Sequence, residues 1–366
     1  MFSDFLNKIN AHFSKKLPFV AYRKPGEEMV KAIFQKDDEL HHIKSYTEIG
    51  FVFNAFDSTA PILLQVDEKF EAVYQSKNES DISVGQSLKK DIDKKEFYID
   101  FVKKAIEKIN KGVFEKVVLS RKIEIATSRK PLELFQTLLA MYPSAFCYIW
   151  YHPKVGLWLG ATPEILLKTE NKRITTMSLA GTKAYILNEE PVWEEKEVNE
   201  QALVTQYIAN ALDGKIEKAI ISERESIRAG NVWHLRSSIS GIMKTNLKEI
   251  VGALHPTPAV CGLPKETSKA FILKNEGYKR EYYTGFLGEL NFKEEKERTA
   301  TSRNQESKAY KTIITKSRLF VNLRCMQIMD KKVMIYVGGG VTNKSVPEKE
   351  WEETVIKSTT MGNVIA

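Results

Sequence analysis

Ala145-Phe-Cys-Tyr-Ile-Trp-Tyr-His-Pro-Lys-Val-Gly-Leu-Trp-Leu-Gly-Ala-Thr-Pro-Glu-Ile-Leu-Leu-Lys168 holds three short apolar runs, Ala145 to Tyr151, Val155 to Leu159 and Ile165 to Lys168. The links between them carry Pro and Gly and are too short for a helix. Runs of this length, rich in aromatic and branched residues, predict strands, and hairpin-length links join strands antiparallel. Outward from this stretch, strands are expected at Lys116 to Ile125, Val232 to Gly241, Tyr283 to Phe292, Leu319 to Ile328 and Val333 to Val337. Helical spacing of apolar residues predicts helices at Phe97 to Ile109, Pro131 to Met141, Glu195 to Leu212, Leu247 to Leu254, Lys265 to Asn275 and Pro347 to Met361. Helices in clumps, instead of in strict alternation with strands, predict an α+β protein with antiparallel sheets. Residues 1 to about 90 show only shorter pieces, such as Ile49 to Phe56 and Ile62 to Val66, expected as strands of a modest sheet.

Composition narrows the function classes. The chain has 366 residues, 43% of them hydrophobic, which is ample for a large core and excludes disorder as a description of the whole. No apolar stretch reaches the roughly 20 residues of a membrane span. The first ten residues mix acids and amides into apolar positions and do not read as a signal peptide, so a cytoplasmic protein is expected. Three scattered cysteines, Cys147, Cys261 and Cys325, give neither a disulfide framework nor a metal-binding pair. The net charge of +8 comes from 55 Lys and Arg set among 47 Asp and Glu without a basic run. Nucleic-acid binding is therefore not expected, and a small anionic substrate is an equally good use of the field. The polar stretch Lys293 to Lys308 is expected as a solvated hairpin loop.

Several residues could carry chemistry. Glu197 and Glu200, and Glu350 and Glu353, stand at i, i+3 on two predicted helices, and each pair shares a face. Such pairs are either solvated faces balanced by lysines or parts of an oxygen-rich Mg²⁺ site. Val337-Gly-Gly-Gly-Val341 reads as a turn after a strand, either merely tight or a backbone cradle for an anion. Arg324, inside the run expected as a strand, needs an acidic partner or a carboxylate ligand. Glu164, just before a strand, is an exposed acid or a buried proton donor. Lys116, on the face of its strand opposite Val117, Leu119, Ile123 and Ile125, is a surface lysine or a base. His255, in Leu254-His-Pro-Thr-Pro258, serves a turn or a ligand.

In chain order, Lys116-Val-Val-Leu-Ser-Arg121, Gly160-Ala-Thr-Pro-Glu164, Leu179-Ala-Gly-Thr182, Asn199-Glu-Gln201, His255-Pro-Thr-Pro-Ala-Val-Cys-Gly262, Tyr283-Thr-Gly-Phe-Leu-Gly288, Leu323-Arg-Cys325, Gly338-Gly-Gly340 and Glu350-Trp-Glu-Glu-Thr354 with Lys357 resemble the motifs of the chorismate-utilising enzymes. The resemblance runs from about Phe97 to the last residue. It implies one α+β domain, a sandwich of extended antiparallel sheets with helices outside. Residues 91–366 would be the catalytic region and 1–90 the variable N-terminal part of the same domain. It also implies a Mg²⁺ site with Glu200 and Glu353 as principal ligands and Glu197 and Glu350 beside them. Substrate would be held by Gly181, Thr182, Tyr283, Arg324, Lys357 and Gly338, Gly339 and Gly340, with His255 close to it. Lys116 is similar to the lysine of the water-using members, where anthranilate synthases usually carry glutamine. Ala180 stands where aminodeoxychorismate synthases place a nucleophilic lysine. The implied reaction is isochorismate synthesis: Lys116 deprotonates a water that attacks C2 of chorismate, and Glu164 protonates the departing C4 hydroxyl. Menaquinone and siderophore routes both begin there. Salicylate synthesis and a silent chorismate-binding subunit are the alternatives. A monomer without a glutamine amidotransferase subunit is expected.

Overall fold

A computed structural model describes residues 2–74, 95–187, 189–229, 232–297 and 311–366. In chain order the elements are α1 (Phe2–Ser14), β1 (Phe19–Arg23), β2 (Met29–Phe34), β3 (Gly50–Asn54), β4 (Ile62–Leu64), β5 (Glu68–Val73), α2 (Lys95–Asn110), β6 (Lys116–Ala126), α3 (Pro131–Met141), β7 (Phe146–His152), β8 (Gly156–Thr162), β9 (Ile165–Glu170) and β10 (Arg173–Ala184). They continue with α4 (Glu195–Leu212), β11 (Ile216–Ile221), β12 (Glu225–Ala229), β13 (Val232–Met243), α5 (Leu247–Leu254), β14 (Gly262–Leu263), α6 (Lys265–Asn275), β15 (Phe286–Glu297), β16 (Lys311–Val321), β17 (Cys325–Met329), β18 (Lys332–Val341) and α7 (Pro347–Ile365).

The strands form two sheets. One has the order β14-β6-β18-β17-β8-β7-β1-β2-β5; the other is β11-β13-β10-β9-β16-β15-β3-β4, with β12 also on β13. The strand pairs are antiparallel, as hairpin-length links require. Between the sheets lies an aromatic core of Tyr22, Phe51, Phe53, Tyr148, Trp150, Trp158 and Phe320. Helices cover the outer faces: α1, α3 and α7 pack on the first sheet and α4 and α5 on the second. This is the expected α+β sandwich. Strands from the first 74 residues join both sheets, so they build no small sheet of their own.

Three expectations need correction. The run Leu319 to Ile328 is not one strand: β16 ends at Val321, β17 begins at Cys325, and the two belong to opposite sheets. Arg324 therefore sits in a crossover, with φ of 47°. Fully buried Asn322 fixes the crossing by accepting from Tyr148 Oη at 2.6 Å and donating to the Tyr282 carbonyl at 2.9 Å. Second, the glycines of Val337 to Val341 make no turn. They continue β18, with Gly338 opposite Ser120, Gly339 opposite Leu119 and Gly340 opposite Val118 of β6. Third, Lys293 to Glu297 extends β15 and pairs with β16, while 298–310 lies outside the described residues.

Candidate active site

The chain crosses between the sheets at two adjacent places. Pro163–Glu164 joins β8 to β9, 322–324 joins β16 to β17, and the Val321 amide donates to the Glu164 carbonyl at 3.0 Å. A cavity opens beside these crossings. Its wall includes Val118, Glu164, Gly181, Thr182, Glu200, His234, Tyr283, Arg324, Gly338 to Gly340, Glu353 and Lys357. Gly181, at φ 72°, lies where the pairing of β10 with β13 shifts register, so the bulge turns Gly181 and Thr182 out of the ladder toward the cavity.

Most of the predicted residues converge. The Lys116 ammonium, 1% exposed, donates to Glu200 Oε1 at 2.8 Å and stands behind that carboxylate. Lys357 donates to the Gly338 carbonyl at 3.0 Å and to Glu353. Tyr283 stacks on Tyr336 at 5.6 Å between ring centres, with its hydroxyl 3.0 Å from where a Cβ on Gly338 would lie. His255 stands apart: its ring meets Phe286 edge-on at 5.0 Å and takes no part in the cavity wall. Sequence reasoning missed His234, whose ring lies between Gly181 and Arg324. A lone histidine on an alternating strand signals nothing until the opposite crossover is in place.

Electrostatics separates two carboxyls of the site. Glu164 is almost fully buried, and burial lifts its pKa to about 8 despite the opposing fields of Lys116, Arg324 and Lys357. It is a neutral acid at physiological pH. Burial works against ionisation of Glu200 too, but the hydrogen-bonded Lys116 together with the fields of Lys196 and Lys357 holds that carboxyl below its ordinary value.

The donors of Glu200, Glu350 and Glu353 suit a cation. Glu350 Oε2 is buried without a hydrogen-bond partner, and Oε1 meets Lys196 at 2.9 Å. Burial and the neighbouring Glu353 raise its pKa. A Cβ on Gly339 would lie 3.5 Å from both Glu350 Oε2 and Glu353 Oε1, and one on Gly340 only 2.6 Å from Glu200 Oε1. Carboxylates from α4 and α7 thus converge over bare backbone. Glu197 has a local duty, its Oε2 accepting from the Glu194 amide at 3.0 Å to cap α4. Among the described residues, the three donors lying within 4.8 Å of one another are elsewhere, on Asp37, Glu39 and His41. Asp37 Oδ1 there is already bonded to Gln35 and the Glu39 amide.

Comparison with known proteins places the chain and its fold. Isochorismate synthase EntC of Escherichia coli strain K12 is 26% identical over 362 residues, covering 93% of this chain and 86% of that protein. Isochorismate synthase DhbC of Bacillus subtilis is 28% identical, covering 74% and 68%. The structure of MenF, the menaquinone-specific isochorismate synthase from Escherichia coli, superposes with a TM-score of 0.74 at 19% identity, covering 95% of this chain and 89% of that one. No helix among the described residues is long and apolar enough to cross a membrane. The sequence model of the chorismate binding enzymes matches residues 39–303 and a second of the same description matches 314–363, a span that takes in both crossovers, the glycine strand and the acidic helices, and the chain belongs to the chorismate binding enzyme family.

Proposed function

We propose that this enzyme is an isochorismate synthase, converting chorismate reversibly to isochorismate by water attack at C2 and loss of the C4 hydroxyl. The observation that carries the reading is a buried pair: Glu164, which lines the cavity and is uncharged at neutral pH, and Lys116, which stands behind the cavity-lining Glu200 and acts on Glu164 through its field. In this reading Arg324 grips a carboxylate of the substrate, since a guanidinium matches that group bidentately. Lys357, Tyr283 and the backbone of Gly181, Thr182 and Gly338 to Gly340 shape the ring site. Glu200 and Glu353, with Glu350 and Glu197 beside them, would hold Mg²⁺, which supplies positive charge for the ring carboxylate. Lys116, as the neutral amine left once the Glu200 carboxylate is committed to the cation, takes the proton of the attacking water while Glu164 delivers its own to the departing hydroxyl. Because the same two groups serve either direction, the reaction runs both ways. Ala180 offers no nucleophile for covalent attack on the ring.

The test is a chromatographic product assay with chorismate, with and without Mg²⁺. Isochorismate alone, formed only with the metal, upholds the reading. Salicylate with equimolar pyruvate would replace it with salicylate synthesis, and absence of any product would leave a chorismate-binding subunit.

A further inference from the structure

His234, on β13, is buried, with Nδ1 2.8 Å from the Gly181 carbonyl oxygen and Nε2 3.4 Å from Nη2 of Arg324. A carbonyl only accepts and a guanidinium only donates. The two contacts together therefore fix the ring as one tautomer, with hydrogen on Nδ1 and a lone pair on Nε2. Thr182 Oγ1, 3.4 Å from Nδ1, offers a second acceptor. Burial, with Arg324 and Lys357 adding to it, pushes the imidazole pKa down to about 3, so the ring stays neutral wherever the protein is folded.

Arg324 forms no ion pair among the described residues, and its backbone is held in the left-handed region at a crossover. Ordering a long arginine side chain on a ligand costs conformational entropy. We propose that His234 is a positioning residue: it draws one N–H of Arg324 back against the β10 bulge and leaves the remaining N–H groups facing the cavity for a carboxylate. The proposal rests on the reading of Arg324 as the carboxylate grip. The same ring ties two separate elements of the site, because Gly181 on β10 and Arg324 in the crossover from β16 to β17 both line the cavity.

Two substitutions separate its two bonds. His234→Asn keeps a donor near the Nδ1 position and loses the acceptor for Arg324; His234→Gln carries an oxygen toward the Nε2 position and restores it. KM and kcat for chorismate and the melting temperature are measured for both beside the wild type. The expected result is a KM raised about tenfold in the Asn protein with kcat within a few-fold and melting unchanged, and recovery of most of that rise in the Gln protein. An unchanged KM in the Asn protein, or equal losses in both that track lowered melting, would overturn the proposal. Nitrogen NMR of the wild-type histidines is independent of how the variants fold: hydrogen on Nδ1 of His234 supports the proposal, and hydrogen on Nε2 overturns it. A wild type that does not turn over chorismate would strike the isochorismate synthase reading and leave the tautomer to decide this one.

Discussion

At the scale of single residues, the site is defined by what burial does to charge. Glu164 is an ordinary carboxylic acid made weak by removal of water, and Lys116 is an ammonium kept company by Glu200. Lys116→Ala should still bind chorismate while kcat falls by roughly 10² to 10⁴-fold, the usual worth of a proton-transfer group; steady-state kinetics with a binding titration reads both. Glu164 also ties stability to pH. Its folded pKa of about 8 lies above the ordinary carboxyl value, so the native protein keeps a proton that the unfolded chain has lost. Stability should fall as pH rises from about 4.5 to 8. Glu164→Gln should abolish most turnover yet melt higher than wild type at pH 9, by on the order of a few kcal/mol, with the gap closing toward pH 4.5. Thermal melts in chelator across that range check it, and a gap independent of pH would refute the assignment. Wild-type turnover should likewise decline as pH passes about 8.

At the scale of elements, β18 shows why three glycines sit toward the end of a strand. A Cβ at 338 would come 2.6 Å from the Leu119 carbonyl, a backbone clash, whereas one at 340 would strike Glu200 Oε1 at 2.6 Å and Lys116 Cε at 3.0 Å. The strand is kept bare so that α4 and α7 can bring their carboxylates onto it. Gly340→Ala should therefore cost activity far more than stability, with at least a tenfold loss of kcat/KM and a melting temperature within a few degrees of wild type. Equal damage to both would mean that the glycine serves packing. α7 is held from the neighbouring strand β6 by Arg121, whose guanidinium lies 4.0 Å over the Trp351 ring and whose Nε donates to Thr354 Oγ1 at 2.8 Å. Glu353 and Lys357 of the same helix line the cavity.

At the scale of the whole molecule, the two sheets are bound together by more than the aromatic core. Lys24 and Glu289, both almost fully buried, meet across the sandwich at 2.9 Å, and Tyr22 Oη donates to Glu289 Oε1 at 2.6 Å. Lys24→Met should cost about 3–5 kcal/mol because it leaves Glu289 charged and unpaired, and the added change Glu289→Leu should recover much of that loss. A double-mutant cycle in denaturant measures it. The α+β class and four helices to the residue (Pro131–Met141, Glu195–Leu212, Leu247–Leu254 and Lys265–Asn275) were legible in the sequence because periodicity and short links are local properties, whereas Lys116, Glu164, Glu200, Glu353 and Arg324 were singled out as site residues, over surface or structural ones, only through the resemblance of their motifs to the chorismate-utilising enzymes. The break at 322–324 and the straight course of Gly338 to Gly340 were not, since which sheet a strand joins depends on partners far along the chain. By itself the sequence determined the antiparallel α+β class and the residue types of the site. Only the tertiary structure decided that Glu164 is dry, that His234 stands against Arg324, and that carboxylates from two helices share one stretch of bare strand, because burial and charge pairing arise from contacts between segments that the order of residues leaves far apart.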